Sequence, residues 1–374
     1  MHKQLTRIVG LLMVLAASLT IVSCATSQDI QTTPTTTPIQ TPTTTSTTTP
    51  TIVQAEAPYI EEFIVCDHPA EQKYPAISGD IVVWKELRNE KDNKCDIYGY
   101  NISSGIEFSI CTQSDEQYSP AISGNIVVWE DRRTALGDIC GYNLSADDAF
   151  QISYHNIGKI VPAAASPAIS KDIVLWEDNR DSLGDIYGVY LSSTEELTIC
   201  NVPTCQSSPA VSAYIVVWAD KRNGNSDIYG LDISKHQLSS GQEFPICINE
   251  SKQDSPDISD NIVVWEDRRA GDYDIFGYDL TTNTEFPICI NSGDQKQPAI
   301  SGNSVVWQDN RNGNWDIYGY NLATGVEFAI CMEPGNQEYP DISDNIVVWH
   351  DDRNSSIHTK NVDIYGARLT FDNP

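Results

Sequence analysis

One polar constellation with the spacing of a chemical device recurs seven times. Each copy reads Trp-x-acid-x-Arg, and Asp-Ile follows a few residues later. The tryptophans are Trp84, Trp129, Trp176, Trp218, Trp265, Trp307 and Trp349. Their acids are Glu86, Asp131, Asp178, Asp220, Asp267, Asp309 and Asp351, and the arginines are Arg88, Arg133, Arg180, Arg222, Arg269, Arg311 and Arg353. The second acids are Asp96, Asp138, Asp185, Asp227, Asp274, Asp316 and Asp363. Two carboxylates flanking a glycosidic bond are glycosidase equipment, and Asp220-x-Arg222-Asn223-Gly224-Asn225-x-Asp227 has the oxygen-rich look of a calcium loop. A catalytic centre, however, is needed once. For calcium, the arginine puts a cation where a ligand belongs, and the closing glutamate is missing. The expectation is scaffold, with one arginine bracing a hairpin between two carboxylates by forked hydrogen bonds. No cofactor is expected, and calcium is the lesser reading.

The elements that carry these residues follow from the repeat. The tryptophans are 42 to 47 residues apart, which is the length of one stacked unit in an array. In the sixth copy Pro298 to Ser301 starts a strand, Gly302-Asn303 turns it, and Ser304-Val305-Val306-Trp307 is an apolar strand covered on both faces. Asn312-Gly313 is a strong hairpin signal, Asp316 to Leu322 is a third strand, and Val326 to Cys331 is a fourth. Four antiparallel strands per unit is a propeller blade. The last copy stops after its third strand, and an unattached Glu62-Phe63-Ile64-Val65-Cys66 precedes the first. The predicted fold is therefore all-β: a seven-bladed propeller over residues 58–374, closed by an N-terminal strand that completes the last blade.

The Ile-Val-Val-Trp strand, the turn from Asp309 to Asn314 and the Asp-Ile-Tyr-Gly-Tyr-Asp/Asn-Leu strand before a Thr-Gly turn resemble the TolB-like β-propeller family, particularly the cell-surface propeller repeats of prokaryotes. The resemblance covers residues 59 to 371. It implies a surface or periplasmic binding and scaffolding role without naming a ligand.

Residues 1–23 read as a lipoprotein signal peptide: Lys3 and Arg7, an apolar run from Ile8 to Val22, then Cys24 as lipid acceptor. Residues 24–57, rich in threonine and proline, read as a disordered tether. The expected location is the cell envelope, surface or periplasm, with the membrane reached through the lipid anchor alone. A net charge of −29 argues against nucleic acid and anionic lipid as partners. Cys66, Cys111, Cys200, Cys247, Cys289 and Cys331 end the fourth strands and read as small buried fillers. Cys200 with Cys205, and Cys95 with Cys111, are the pairs near enough in sequence to consider as disulfides.

What does not repeat is where function is expected. Tryptophan to second acid is 9 residues in five blades, 12 in the first and 14 in the seventh, and Ser153 to Pro167 is 14 where the others have 9. Strand alternation puts these three insertions on one face, in one sector. His68, His155, His350 and His358, with Arg353 and Lys159, are expected there as ligand-binding residues. The ligand is a protein or polysaccharide of the envelope, conceivably an anionic polymer or a protein loop. The favoured reading is a non-catalytic binding scaffold; the alternative is a propeller-type polysaccharide lyase or glycosidase.

Overall fold

The computed structural model describes residues 56–371 except 90–93, 114–115, 134–136, 154–163, 181–183, 194, 235–241 and 357–360. The leader, Cys24 and most of the tether lie outside the described residues. Among those described, every regular element is a β-strand, and no helix is long and apolar enough to cross a membrane.

The strands form seven four-stranded antiparallel sheets. Six are built from consecutive strands. The seventh has the order Tyr59–Cys66, Asp363–Thr370, Ile346–Asp351, Gln337–Ser343, so the N-terminal strand is the outer strand of the last blade. Its register runs from Tyr59↔Thr370 to Ile64↔Tyr365 and Cys66↔Ile364. The expected closure is present.

Sequence dictates much of each blade. In the second strand Val-Val-Trp is fully buried because both sheet faces are covered; the seven repeat tryptophans are at most 2 % exposed. The third-strand glycine is required by a close approach. A Cβ on Gly319 would lie 2.7 Å from the Phe328 ring of the outer strand, and the same contact recurs at Gly99, Gly141, Gly230 and Gly277. At Gly366 the ring comes from Phe63, at 2.7 Å, so the N-terminal strand supplies the missing part.

Two belts of hydrogen bonds join the blades around the axis. On one face the residue opening each inner turn donates its N–H to the inner-strand serine of the preceding blade. Gly124 to Ser78 is 2.9 Å, Gly302 to Ser259 is 3.0 Å, and the seam is crossed identically by Gly79 to Ser343 at 2.9 Å. On the other face the residue before each inner-strand proline is left-handed, with φ between 48° and 54°, at a bulge. In blades six and seven its N–H finds an acceptor one residue past the preceding blade's tryptophan: Gln297 N to Glu266 and Tyr339 N to Gln308, both 2.8 Å.

Two local expectations need correction. Asn312-Gly313 does not form a two-residue hairpin. The strands end at Asp309 and resume at Asp316, and the turn bond is Gly313 N to Asn310 O at 2.9 Å. The loop is wider because its asparagine side chains are used, as described below. In blade one the three extra residues partly lengthen the hairpin itself, with Asn89 pairing Lys94.

Phe63→Ala opens the last blade, and should cost about 3 kcal/mol, the low end for phenylalanine truncation because the ring is only partly buried. Denaturant unfolding of the variant checks this; an unchanged midpoint would contradict closure through this strand.

Candidate functional site

The repeated polar residues form a clamp, not a reactive centre. Each acid accepts the Nε1–H of its own tryptophan, as Asp309 does from Trp307 at 3.0 Å. The same carboxylate binds the arginine two residues on, with Arg311 Nη2 to Asp309 Oδ2 at 2.5 Å and the Arg311 backbone N–H to Oδ1 at 2.9 Å. Arg311 Nη1 reaches Glu327 of the outer strand at 2.6 Å, and Nη2 lies 3.1 Å from Cys289 of the preceding blade. The guanidinium sits 4.2 Å above the Tyr318 ring. The glutamate and ring contacts recur in six blades, from Arg88–Glu107 to Arg353–Glu62.

The expected sharing of one arginine between two acids is thus corrected. In blades four, six and seven the second acid is held by turn asparagines: Asn223 to Asp227, Asn312 to Asp316 and Asn354 to Asp363, each 2.8 Å. Blade five has Ala270 and Asp272 in place of those asparagines, and burial, with the charges of Asp267 and Asp272, pushes the Asp274 carboxyl up to about 6.

Blade two has the poorest clamp. Asp131 and Asp138 are buried as elsewhere, but Cys140 replaces the tyrosine and Ala149 the glutamate. Arg133 keeps Asp131 at 2.8 Å, and its side chain is 43 % exposed against 15–27 % in the other six.

The nine described cysteines are free, so neither Cys200–Cys205 nor Cys95–Cys111 is a disulfide here. Burial pushes the thiols of Cys66, Cys200, Cys289 and Cys331 up to about 12, which keeps them protonated at neutral pH.

Of the six expected ligand residues three are described, and each of those has structural contacts. His155, Lys159 and His358 lie outside the described residues. Arg353 is the clamp arginine of blade seven, bound to Asp351, Glu62 and Cys331. His68 accepts the Ala70 N–H at 3.1 Å and lies 3.2 Å from Glu86. His350 is not in a loop: the residue after the tryptophan is still strand, and it is 3 % exposed. It stacks on Tyr339 at 5.1 Å, meets Tyr74 edge-on at 5.8 Å, and has Glu338 at 3.5 Å. Tyr74 and Tyr339 touch at 4.8 Å. These three rings seal the junction of blades seven and one. Among the described residues no group of three or more His, Cys, Asp or Glu side chains could hold a metal ion.

A cavity of about 590 Å³ runs along the axis, lined by the Pro-Ala-Ile segments of the inner strands and by Tyr74 and Tyr339. Blades five and seven carry Asp257 and Asp341 there instead of the alanine of the other five. Each binds its neighbour blade's backbone, Asp257 to Ile300 N and Asp341 to Ile77 N, both 2.8 Å. Burial, with the Asp341 charge adding to it, raises Asp257 to about 7; burial raises Asp341 to about 6.

Sequence reasoning missed Tyr273 and Trp315, half-buried residues just before the second acids of blades five and six. The ammonium of Lys296 lies 4.3 Å from the Tyr273 ring centre and 5.7 Å from that of Trp315. The signal was available: the chain has eight tryptophans and seven repeats.

No family model matches the chain, and no curated protein matches it. Solved structures do. TolB from Acinetobacter baumannii is 16 % identical over 71 % of this chain and 67 % of its own, with a TM-score of 0.51. The β-propeller domain of the Trilobed protease from Pyrococcus furiosus, described as having an open velcro topology, is 14 % identical over 82 % and 99 %, at 0.63. An oligogalacturonate lyase in complex with manganese is 9 % identical over 84 % and 98 %, at 0.60. The chain spans about half the length of a puromycin-hydrolysing peptidase from Mycobacterium tuberculosis that it also matches. These likenesses show a β-propeller fold, shared by a TolB protein and by enzymes alike.

Two outcomes follow. Cys140→Tyr with Ala149→Glu should complete the blade-two clamp and stabilise the protein by about 0.5–1.5 kcal/mol, from one cation–π contact and one ion pair; thermal denaturation reads it. Asp257 and Asp341 have raised folded-state pKa values, so their contribution to stability is full below about pH 4 and is lost as pH rises through about 6 to 7. Asp257→Ala/Asp341→Ala should therefore gain in melting temperature relative to the parent between pH 5 and pH 8. A difference that stays constant with pH would refute the assignment.

Proposed function

We propose that the chain is an exported, lipid-anchored ring that binds a protein or polysaccharide of the cell envelope without transforming it, in the manner of TolB-like repeat propellers. The observation that carries this reading is the fate of the repeated acids. Each first acid is held by its tryptophan and arginine, and in three blades the second is held by asparagine. Such carboxylates are committed to the scaffold and are poor acids, bases or nucleophiles. The residues that vary from blade to blade cluster instead on the loop face and at the cavity mouth, where rigid propellers present binding groups. Cys24 supplies the anchor, and the threonine–proline segment after it supplies reach.

The enzyme reading has one specific support. Asp257 and Asp341 in the cavity have carboxyls poised near neutrality, a property that catalytic acids share. Incubation of the purified protein with neutral and acidic polysaccharides separates the two. Retention on the polymer, or on an envelope protein, without new reducing ends is expected. Turnover that disappears in Asp257→Asn/Asp341→Asn would replace binding with catalysis. For the anchor, Cys24→Ser should move the protein from the membrane fraction to the soluble one.

A further inference from the structure

Seven tryptophans are buried in the same place in every blade, and the eighth, Trp315, stands half-exposed on the loop face. Its position holds Tyr273 in blade five but Cys95, Gly137, Gly184, Ser226 and Val362 in the others. A second position on that face departs in the same sector. The residue after the outer-strand cysteine is Ile248, Ile290 and Met332 in blades four to six, exposed by 55, 64 and 59 %. In blades seven, one and three the same position holds Asp67, Thr112 and Asn201. In blades five and six an aromatic ring and an exposed apolar side chain therefore occur together, and blade four adds the aliphatic residue alone.

The loops that carry them touch. Tyr273 N donates to Asp294 at 3.1 Å, and Trp315 N to Asn336 at 3.2 Å. Their carbonyls accept from Gln295 N at 2.7 Å and Gln337 N at 2.8 Å. The Tyr318 hydroxyl reaches Met332 Sδ at 3.4 Å, and Lys296 bridges the two aromatic rings. Arg268 is fixed to Gly271 O at 3.2 Å. Both aromatic anchors are thus pinned at their backbones before any ligand arrives, which lowers the entropy cost of binding.

We propose that this strip on blades four to six docks a basic protein segment bearing apolar side chains. Exposed aliphatic residues beside tryptophan, tyrosine, methionine and arginine are the composition of a protein interface core. The charges select the partner. Lys252 and Lys296 are neutralised by Asp254 and Asp294, while Glu250, Asp272 and Glu333 stay exposed at the edge. A chain of net charge −29 repels acidic polymers and a second copy of itself, and it attracts a basic surface. The inference rests on the reading of this protein as a binding module and specifies its ligand class.

Trp315 provides the assay, because it is the one tryptophan that acrylamide in solution can reach. The mature protein is titrated with a synthetic peptide of alternating leucine and lysine, with its leucine–glutamate counterpart, and with cellohexaose. The leucine–lysine peptide should shield Trp315 saturably, and the leucine–glutamate peptide should not. Ile290→Ser/Met332→Ser should weaken the peptide by about tenfold or more while leaving the melting temperature unchanged. Equal binding by that variant overturns the proposal, as does shielding by cellohexaose alone or by both peptides alike. Failure of every probe to shield Trp315 also overturns it. Envelope ligands retained by the Ile290→Ser/Met332→Ser protein would then show that binding lies elsewhere, leaving the broader reading in place.

Discussion

A carboxylate buried at the rim of every blade must be neutralised, and that requirement organises the repeat. Charge taken out of water is costly unless it is paired and hydrogen-bonded. Here the indole N–H, the guanidinium and a backbone N–H converge on one acid, as on Asp309. The guanidinium then needs its own surroundings, and it takes the outer-strand glutamate, the tyrosine face and the cysteine of the blade before. One buried charge therefore dictates five other residue types. It also couples neighbouring blades, since Arg311 belongs to blade six and Cys289 to blade five. Blade two shows the same logic in reverse: once the tyrosine is Cys140, the glutamate is gone as well, and Arg133 turns toward solvent.

Closure of the ring reuses two contacts found elsewhere in it. The serine belt passes from Ser343 to Gly79 with the geometry it has elsewhere, and Phe63 covers Gly366 as Phe328 covers Gly319. The seam differs in its other belt. Where Glu266 and Gln308 accept the N–H of a left-handed residue, the seam has His350, 3.4 Å from Tyr74 N and stacked among tyrosines. A histidine that looks like a ligand in the sequence is thus part of the wall between the first and last blades.

A second asymmetry lies in residue type. With the clamp, the belts and the seam accounted for, the loop face keeps a distinct sector at blades four to six, where Ile248, Ile290 and Met332 stand in place of polar residues and Tyr273 and Trp315 add aromatic rings. It carries no insertion in the loops that hold Tyr273 and Trp315. Residue changes at constant length keep the shape of a surface while its chemistry differs.

Blade number, strand order and closure were legible in the sequence because they follow from a strict period, a split repeat and alternation of turns. The burial of Trp307 and of the fourth-strand cysteines was legible too, since a continuous apolar strand has no solvent face. The partners of the polar residues were not legible. Arg353 reaches Glu62 from the far end of the chain, and Asn312 serves Asp316 instead of merely turning the hairpin; both depend on which atoms converge in space. His350 and Trp315 show the limit most plainly. Residue type suggested a ligand for the first and nothing for the second, and only the tertiary structure, by burying one and exposing the other, decided between wall and surface.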